Sequence, residues 1–180
     1  MKLMPHPDFG FPKGVSVYAA LAVSNEGDFE VQCSLAFTPK AISLPDQAMA
    51  QRADDLWKTT CFELFLGVAD SPGYSEFNFS PSGQWAAYAF DGYRSGMRDF
   101  ELRTPPTLKI ERGDTRVNLT AQLIGLGEMF GSQAVEASLT AVVEAKDGTK
   151  SYWALAHPEG PPDFHHRDCF ALQLAPPGNS

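Results

Sequence analysis

The sequence predicts an all-β protein, a single antiparallel β-sandwich with little helix. Three observations lead there. Apolar residues recur at every second position through most of the chain, clusters of turn residues separate these runs, and many short runs share only 180 residues. A chain of that length suits one domain, expected over 1–175 with a fraying tail at 176–180. One flat sheet would leave an apolar face in water, so two packed layers of immunoglobulin or jelly-roll type are expected.

The expected strands, in order, are 15–23, 28–37, 60–68, 74–80, 84–90, 98–103, 107–112, 115–124, 135–145, 150–156 and 168–174. In the second, Phe29, Val31, Cys33, Leu35 and Phe37 alternate with Glu30, Gln32 and Ser34. Val117, Leu119, Ala121 and Leu123 repeat the pattern, as do Val135, Ala137, Leu139, Ala141 and Val143, which gives each run one wet and one dry face. Asn25-Glu26-Gly27-Asp28, Ser71-Pro72-Gly73, Pro81-Ser82-Gly83, Arg112-Gly113-Asp114 and Lys146-Asp147-Gly148 read as hairpin turns. Only 45–56 and 125–130 are compatible with helix.

Hydrophobic residues at 43% and charged residues at 20% describe a chain able to form a core and exclude a disordered or coiled-coil one. The 14 Lys and Arg against 22 Asp and Glu give a net charge of −8, which repels phosphate backbones; neither nucleic acid nor an anionic membrane is an expected partner. Cys33, Cys61 and Cys169 form no C-x-x-C pair or disulfide framework, and the N-terminal residues lack the apolar core of a signal peptide; a cytoplasmic setting is expected.

Chemistry concentrates in Trp57-Lys58-Thr59-Thr60-Cys61-Phe62-Glu63-Leu64-Phe65-Leu66. Extended from Trp57 onward, this segment turns Phe62, Leu64 and Leu66 to the core and Trp57, Cys61 and Glu63 to the other face. An indole beside a carboxylate suits a sugar: the ring covers the C–H face and the carboxylate accepts hydroxyl hydrogen bonds. In Tyr74-Ser75-Glu76-Phe77-Asn78-Phe79, the same parity places Glu76 and Asn78 away from the core, within cross-strand reach of Glu63. Arg94, near a glycine-flexed bend, offers a bidentate fork to ligand oxygens.

These two segments, with the Ser80-Pro81-Ser82-Gly83 turn that follows, resemble the DOMON-like superfamily, and within it family-nine carbohydrate-binding modules and their bacterial relatives. The resemblance implies an antiparallel β-sandwich with a ligand site on one face, two Trp residues that clamp a sugar ring, and a strand Glu that accepts its hydroxyls. By position Trp57 and Glu63 match the first Trp and the Glu, and Trp153 matches the second Trp by its late strand location. Other DOMON-like members bind haem through Met and His; Met49, Met97 or Met129 with His157, His165 or His166 would be the pair here, but none stands at a recognisable axial position, and no cofactor is expected.

The proline-rich stretch 156–170 gathers three of the four histidines with Glu159, Asp163, Asp168 and Cys169. Adjacent His165 and His166 point to opposite sides of an extended chain, so a rim role in ligand binding is expected rather than a metal site. There is no Gly-x-Ser-x-Gly elbow and no phosphate-cradling glycine loop. The resulting expectation is a non-enzymatic carbohydrate-binding domain using Trp57, Glu63, Glu76, Asn78, Arg94 and Trp153, with a haem-binding domain or a hydrolase acting through Glu63 and Glu76 as alternatives.

Overall fold

A computed structural model describes residues 1–174; the tail expected at 176–180 lies outside them. Its strands are β1 (Lys2–Pro5), β2 (Ser16–Val23), β3 (Phe29–Ala36), β4 (Ile42–Ser43), β5 (Cys61–Val68), β6 (Tyr74–Phe79), β7 (Trp85–Phe90), β8 (Arg98–Asp99), β9 (Thr107–Arg112), β10 (Arg116–Leu123), β11 (Val135–Ala145), β12 (Lys150–Ala154) and β13 (Leu172–Leu174). Among the described residues there is no α-helix, only 3-10 turns at Leu56–Lys58, Leu126–Met129 and Arg167–Cys169. None is long and apolar enough to cross a membrane.

The strands form one continuous antiparallel sheet in the order β8-β7-β6-β5-β11-β12-β1-β2-β3-β10-β9, with β4 and β13 attached to β11. Separate sheets were expected; the short β1, which the alternation pattern does not reveal, joins them. Lys2 and Leu3 pair with Tyr18 and Val17 of β2, and Met4 and Pro5 pair with Ala154 and Trp153 of β12. The sheet curls at this seam, and its halves close on a common core. Val17, Val31, Leu35, Val117 and Leu119 come from one half; Phe62, Leu64, Phe77, Leu139 and Trp153 come from the other. Each such side chain contributes about 1.5–3 kcal/mol by leaving water.

Four local expectations change, the strand expected at 98–103 being reduced to Arg98–Asp99. The 45–56 segment is not helical, because its backbone groups bond along the sheet: Ala48 N donates to Ser82 O, Trp85 N to Gln51 O, and Ala53 N to Trp85 O. At 125–130 the chain makes only the 3-10 turn Leu126–Met129. At 168–174 the strand shortens to Leu172–Leu174, since the His166 ring accepts from Asp168 N and starts a 3-10 turn there.

A larger departure positions the site. The face of β5 and β6 turned from the main core was expected to carry an open ligand site, yet both faces of these strands are buried. Phe62, Leu64 and Leu66 enter the main core, as their parity requires. On the opposite side Phe65, Tyr74, Tyr88 and Phe90 join Phe164, Cys169 and Phe170 in a second apolar cluster, beneath the 155–171 segment that folds over the sheet. Because Trp153 is 1% exposed within the main core, Trp153→Ala should cost about 3–5 kcal/mol of stability in chemical denaturation, the scale for truncating a buried aromatic.

Candidate functional site

Register places Glu63 at the centre of the covered outer face. Its cross-strand neighbours are Asn78 on β6 and Thr140 on β11, so a carboxyl in the middle of the sheet has a polar residue on each side. Thr140 Oγ1 donates to Glu63 Oε2 at 2.9 Å. Glu76 lies two residues along β6 from Asn78, whose Nδ2 donates to Glu76 Oε1 at 2.7 Å. Both carboxyls are nearly enclosed, with Glu63 3% and Glu76 5% exposed. Burial, and then the charge of Glu76, push the Glu63 carboxyl up to about 8, against the pull of the Thr140 hydrogen bond. Burial also raises Glu76, although Asn78 and the Arg94 charge oppose it. Burial and the two carboxyls raise the neighbouring Cys61 thiol, which stays protonated and unreactive.

These carboxyls line a pocket of about 540 Å³. Trp57, Phe65, Phe90, Tyr152 and Phe164 supply its aromatic surface, and Lys58, Arg94, Met97 and Lys150 also line it. Trp57 is braced edge-on by Tyr88, with ring centroids 5.9 Å apart. A pocket of this size, with aromatic walls and convergent polar groups, has the character of a small-molecule site.

A chain of contacts ties the covering segment to the pocket. Arg94 N donates to Tyr74 Oη at 3.2 Å, and Tyr74 Oη lies 2.8 Å from His165 Nδ1. The other ring nitrogen, Nε2, faces Glu76 Oε2 at 3.9 Å. Burial and then the Arg94 charge hold His165 down to about 4, so the ring is neutral at ordinary pH. Asp163 fastens the strap: it accepts from the Arg94 guanidinium at 2.8 Å and from Tyr93 Oη at 2.5 Å. Arg94 adopts a left-handed backbone conformation, φ 51°, to make this turn.

Of the residues expected from sequence, Trp57, Glu63, Glu76 and Arg94 meet at the pocket. Trp57 arrives by a different route: it sits in the Leu56–Lys58 3-10 turn, entered through Asp55 at φ 64°, and not in an extended strand. Asn78 is 0% exposed and acts from behind, holding Glu76 and receiving the Cys61 thiol at 3.7 Å. Trp153 is corrected outright. Its strand turns it into the main core, where its Nε1 donates to Ser151 Oγ at 2.9 Å, and it cannot clamp a ligand with Trp57. Arg94 pairs with Asp163, whereas Asp91 and Asp99 are taken by Arg98 and Arg52.

Sequence reasoning missed Phe65, Phe90, Lys150, Tyr152 and Phe164. Parity with Glu63 already marks Phe65 as an outer-face residue, but the others need the fold to converge. His165 turns inward and His166 outward, with side chains 17% and 45% exposed, although the chain here makes a turn in which His166 N donates to Asp163 O and is not extended. Among the described residues no group of three or more His, Cys, Asp or Glu is placed to hold a metal ion.

No family model and no curated protein matches the chain. Among solved structures, a putative carbohydrate-binding protein from Bacteroides uniformis is similar over 96% of this chain and 85% of its own, with a TM-score of 0.57 at 12% identity. At that identity the likeness concerns the fold.

The pair of carboxyls makes stability depend on pH. Glu63 titrates near 8 in the folded protein and near 4.5 unfolded, so the folded state binds more protons across that interval. Its favourable contribution is complete below the unfolded value and is lost as pH rises through the folded one. His165, depressed from 6.5 to about 4, changes stability only below that interval's upper half. Denaturant titrations should show stability falling from about pH 6.5 to pH 8, and Glu63→Gln should flatten that slope.

Proposed function

We propose that the pocket binds a small carbohydrate or glycoside, without catalysing its conversion. One observation carries this reading: a half-buried Trp57, braced by Tyr88, lines the same pocket as the two buried carboxyls Glu63 and Glu76. The indole offers a flat apolar surface for a pyranose face, and the carboxyls offer directional partners for its hydroxyls. Tyr152 and Phe164 add apolar surface, Asn78 acts only by fixing Glu76, and Arg94 lies at the opening in its pair with Asp163.

The similarity in fold to the Bacteroides uniformis protein supports this reading, as does the resemblance of the 57–66 and 74–83 segments to the DOMON-like superfamily. The cysteines are free and buried, which favours a reducing, cytoplasmic setting. A haem reading has less support: Met97 and His165 both line the pocket, but the two ring nitrogens of His165 already face Tyr74 and Glu76.

Trp57→Ala should abolish saturable quenching of Trp fluorescence by a sugar found in a glycan screen while leaving the circular dichroism spectrum unchanged. Above pH 8, where the Glu63 carboxyl is ionised, Glu63→Gln should weaken the same binding by roughly 10–100-fold, the range for losing a charge-assisted hydrogen bond. A screen without hits, or an unfolded Trp57→Ala, would end the carbohydrate reading. Release of nitrophenol from nitrophenyl glycosides, lost in both Glu63→Gln and Glu76→Gln, would replace it with the hydrolase.

A further inference from the structure

Two carboxyls share one pocket, and the protein places no cation in contact with either; burial keeps a proton on Glu63 near neutral pH, which a bound cation would displace. Buried charges are ordinarily paired, because an uncompensated one loses its hydration for nothing in return. Here Thr140 holds one oxygen of Glu63 and Asn78 holds one oxygen of Glu76, and both donors are neutral. Among the described residues, Glu63 Oε1 and Glu76 Oε2 have no hydrogen-bond donor, although both residues are more than nine-tenths buried and line the pocket.

The nearby basic groups do not fill this role. His165 Nε2 stands 3.9 Å from Glu76 on a ring held neutral by its burial. The Lys58 ammonium is 2.6 Å from Asp55, with its side chain 61% exposed, and the Arg94 guanidinium is committed to Asp163. Lys150 lines the pocket, yet among the described residues it forms no ion pair within 4.0 Å.

Building on the carbohydrate reading, we infer that the ligand is an amino sugar whose protonated amine binds between the free oxygens of Glu63 and Glu76. An ammonium supplies the missing charge and several N–H donors at once, and the aromatic walls suit a cation through their ring quadrupoles. The pyranose face then remains for Trp57. A sugar acid would instead bring a third carboxylate against the two already buried, with only the Lys150 side of the pocket to answer it.

The test is calorimetric titration of the full chain at neutral pH with glucosamine, glucose and glucuronate. Glucosamine should bind at least about tenfold more tightly than glucose, with glucuronate weakest, and in Glu63→Gln or Glu76→Gln the ratio of glucosamine to glucose affinity should fall towards one. The two variants serve independently if one fails to fold. Glucose or glucuronate binding as tightly as glucosamine would overturn the amine while leaving the carbohydrate reading intact. Failure of all three sugars would overturn the amine unless the glycan screen is also empty; in that case the carbohydrate reading falls and choline decides the remaining part: saturable binding that is lost in Glu63→Gln upholds a cation site, and its absence ends it.

Discussion

Burying β5 on both faces is the constraint on which the remainder of the molecule rests. A strand whose alternate residues are Phe62, Leu64, Leu66 and Cys61, Glu63, Phe65 must find cover twice, once for each set. The first set is covered by curling the sheet at β1 until β2, β3 and β10 lie against it. The second cannot use another sheet layer, so the chain returns after β12 and lays Phe164, Cys169 and Phe170 over it. The pocket is the part of that second cover left unfilled, and it lies directly over the one charged residue of the strand.

That placement has an electrostatic consequence. Two carboxyls enclosed by aromatic rings repel each other and lose hydration, which raises both. Folding accommodates them with short hydrogen bonds from Thr140 and Asn78, residues that the antiparallel register delivers to either side of Glu63. The site is thus preorganised by the sheet, not by a mobile loop; rigid strands hold the polar atoms while the turn at Leu56–Lys58 brings the indole.

The strap shows how sequence-distant segments are made to cooperate. Tyr93 and Arg94 follow β7, Asp163 and His165 follow β12, and Tyr74 begins β6; their hydrogen bonds join two connections to the start of a strand beside the pocket. The ion pair of Arg94 with Asp163 is partly exposed, so its stabilising contribution is modest. Its geometric role is larger, because it sets where His165 and Phe164 stand.

The sequence by itself determined the all-β character, most strand positions and the parity that turns Glu63, Glu76 and Asn78 away from Phe62, Leu64 and Phe77. Period-two alternation is local and survives any tertiary arrangement. It also fixed the co-localisation of Glu63 and Glu76, since a short hairpin leaves their strands little choice of register. Tertiary structure alone decided which face became a pocket. Parity distinguishes two faces without saying what covers either, so the outer face read as a ligand face without the aromatic cover that the 155–171 segment brings to it. The same limit misplaced Trp153: its strand was legible, but whether its ring met ligand or core depended on how β12 joined the sheet between β11 and β1. The seam itself was invisible, because four residues ending in proline carry too little alternation to mark a strand, and only the hydrogen bonds offered by β2 and β12 make one.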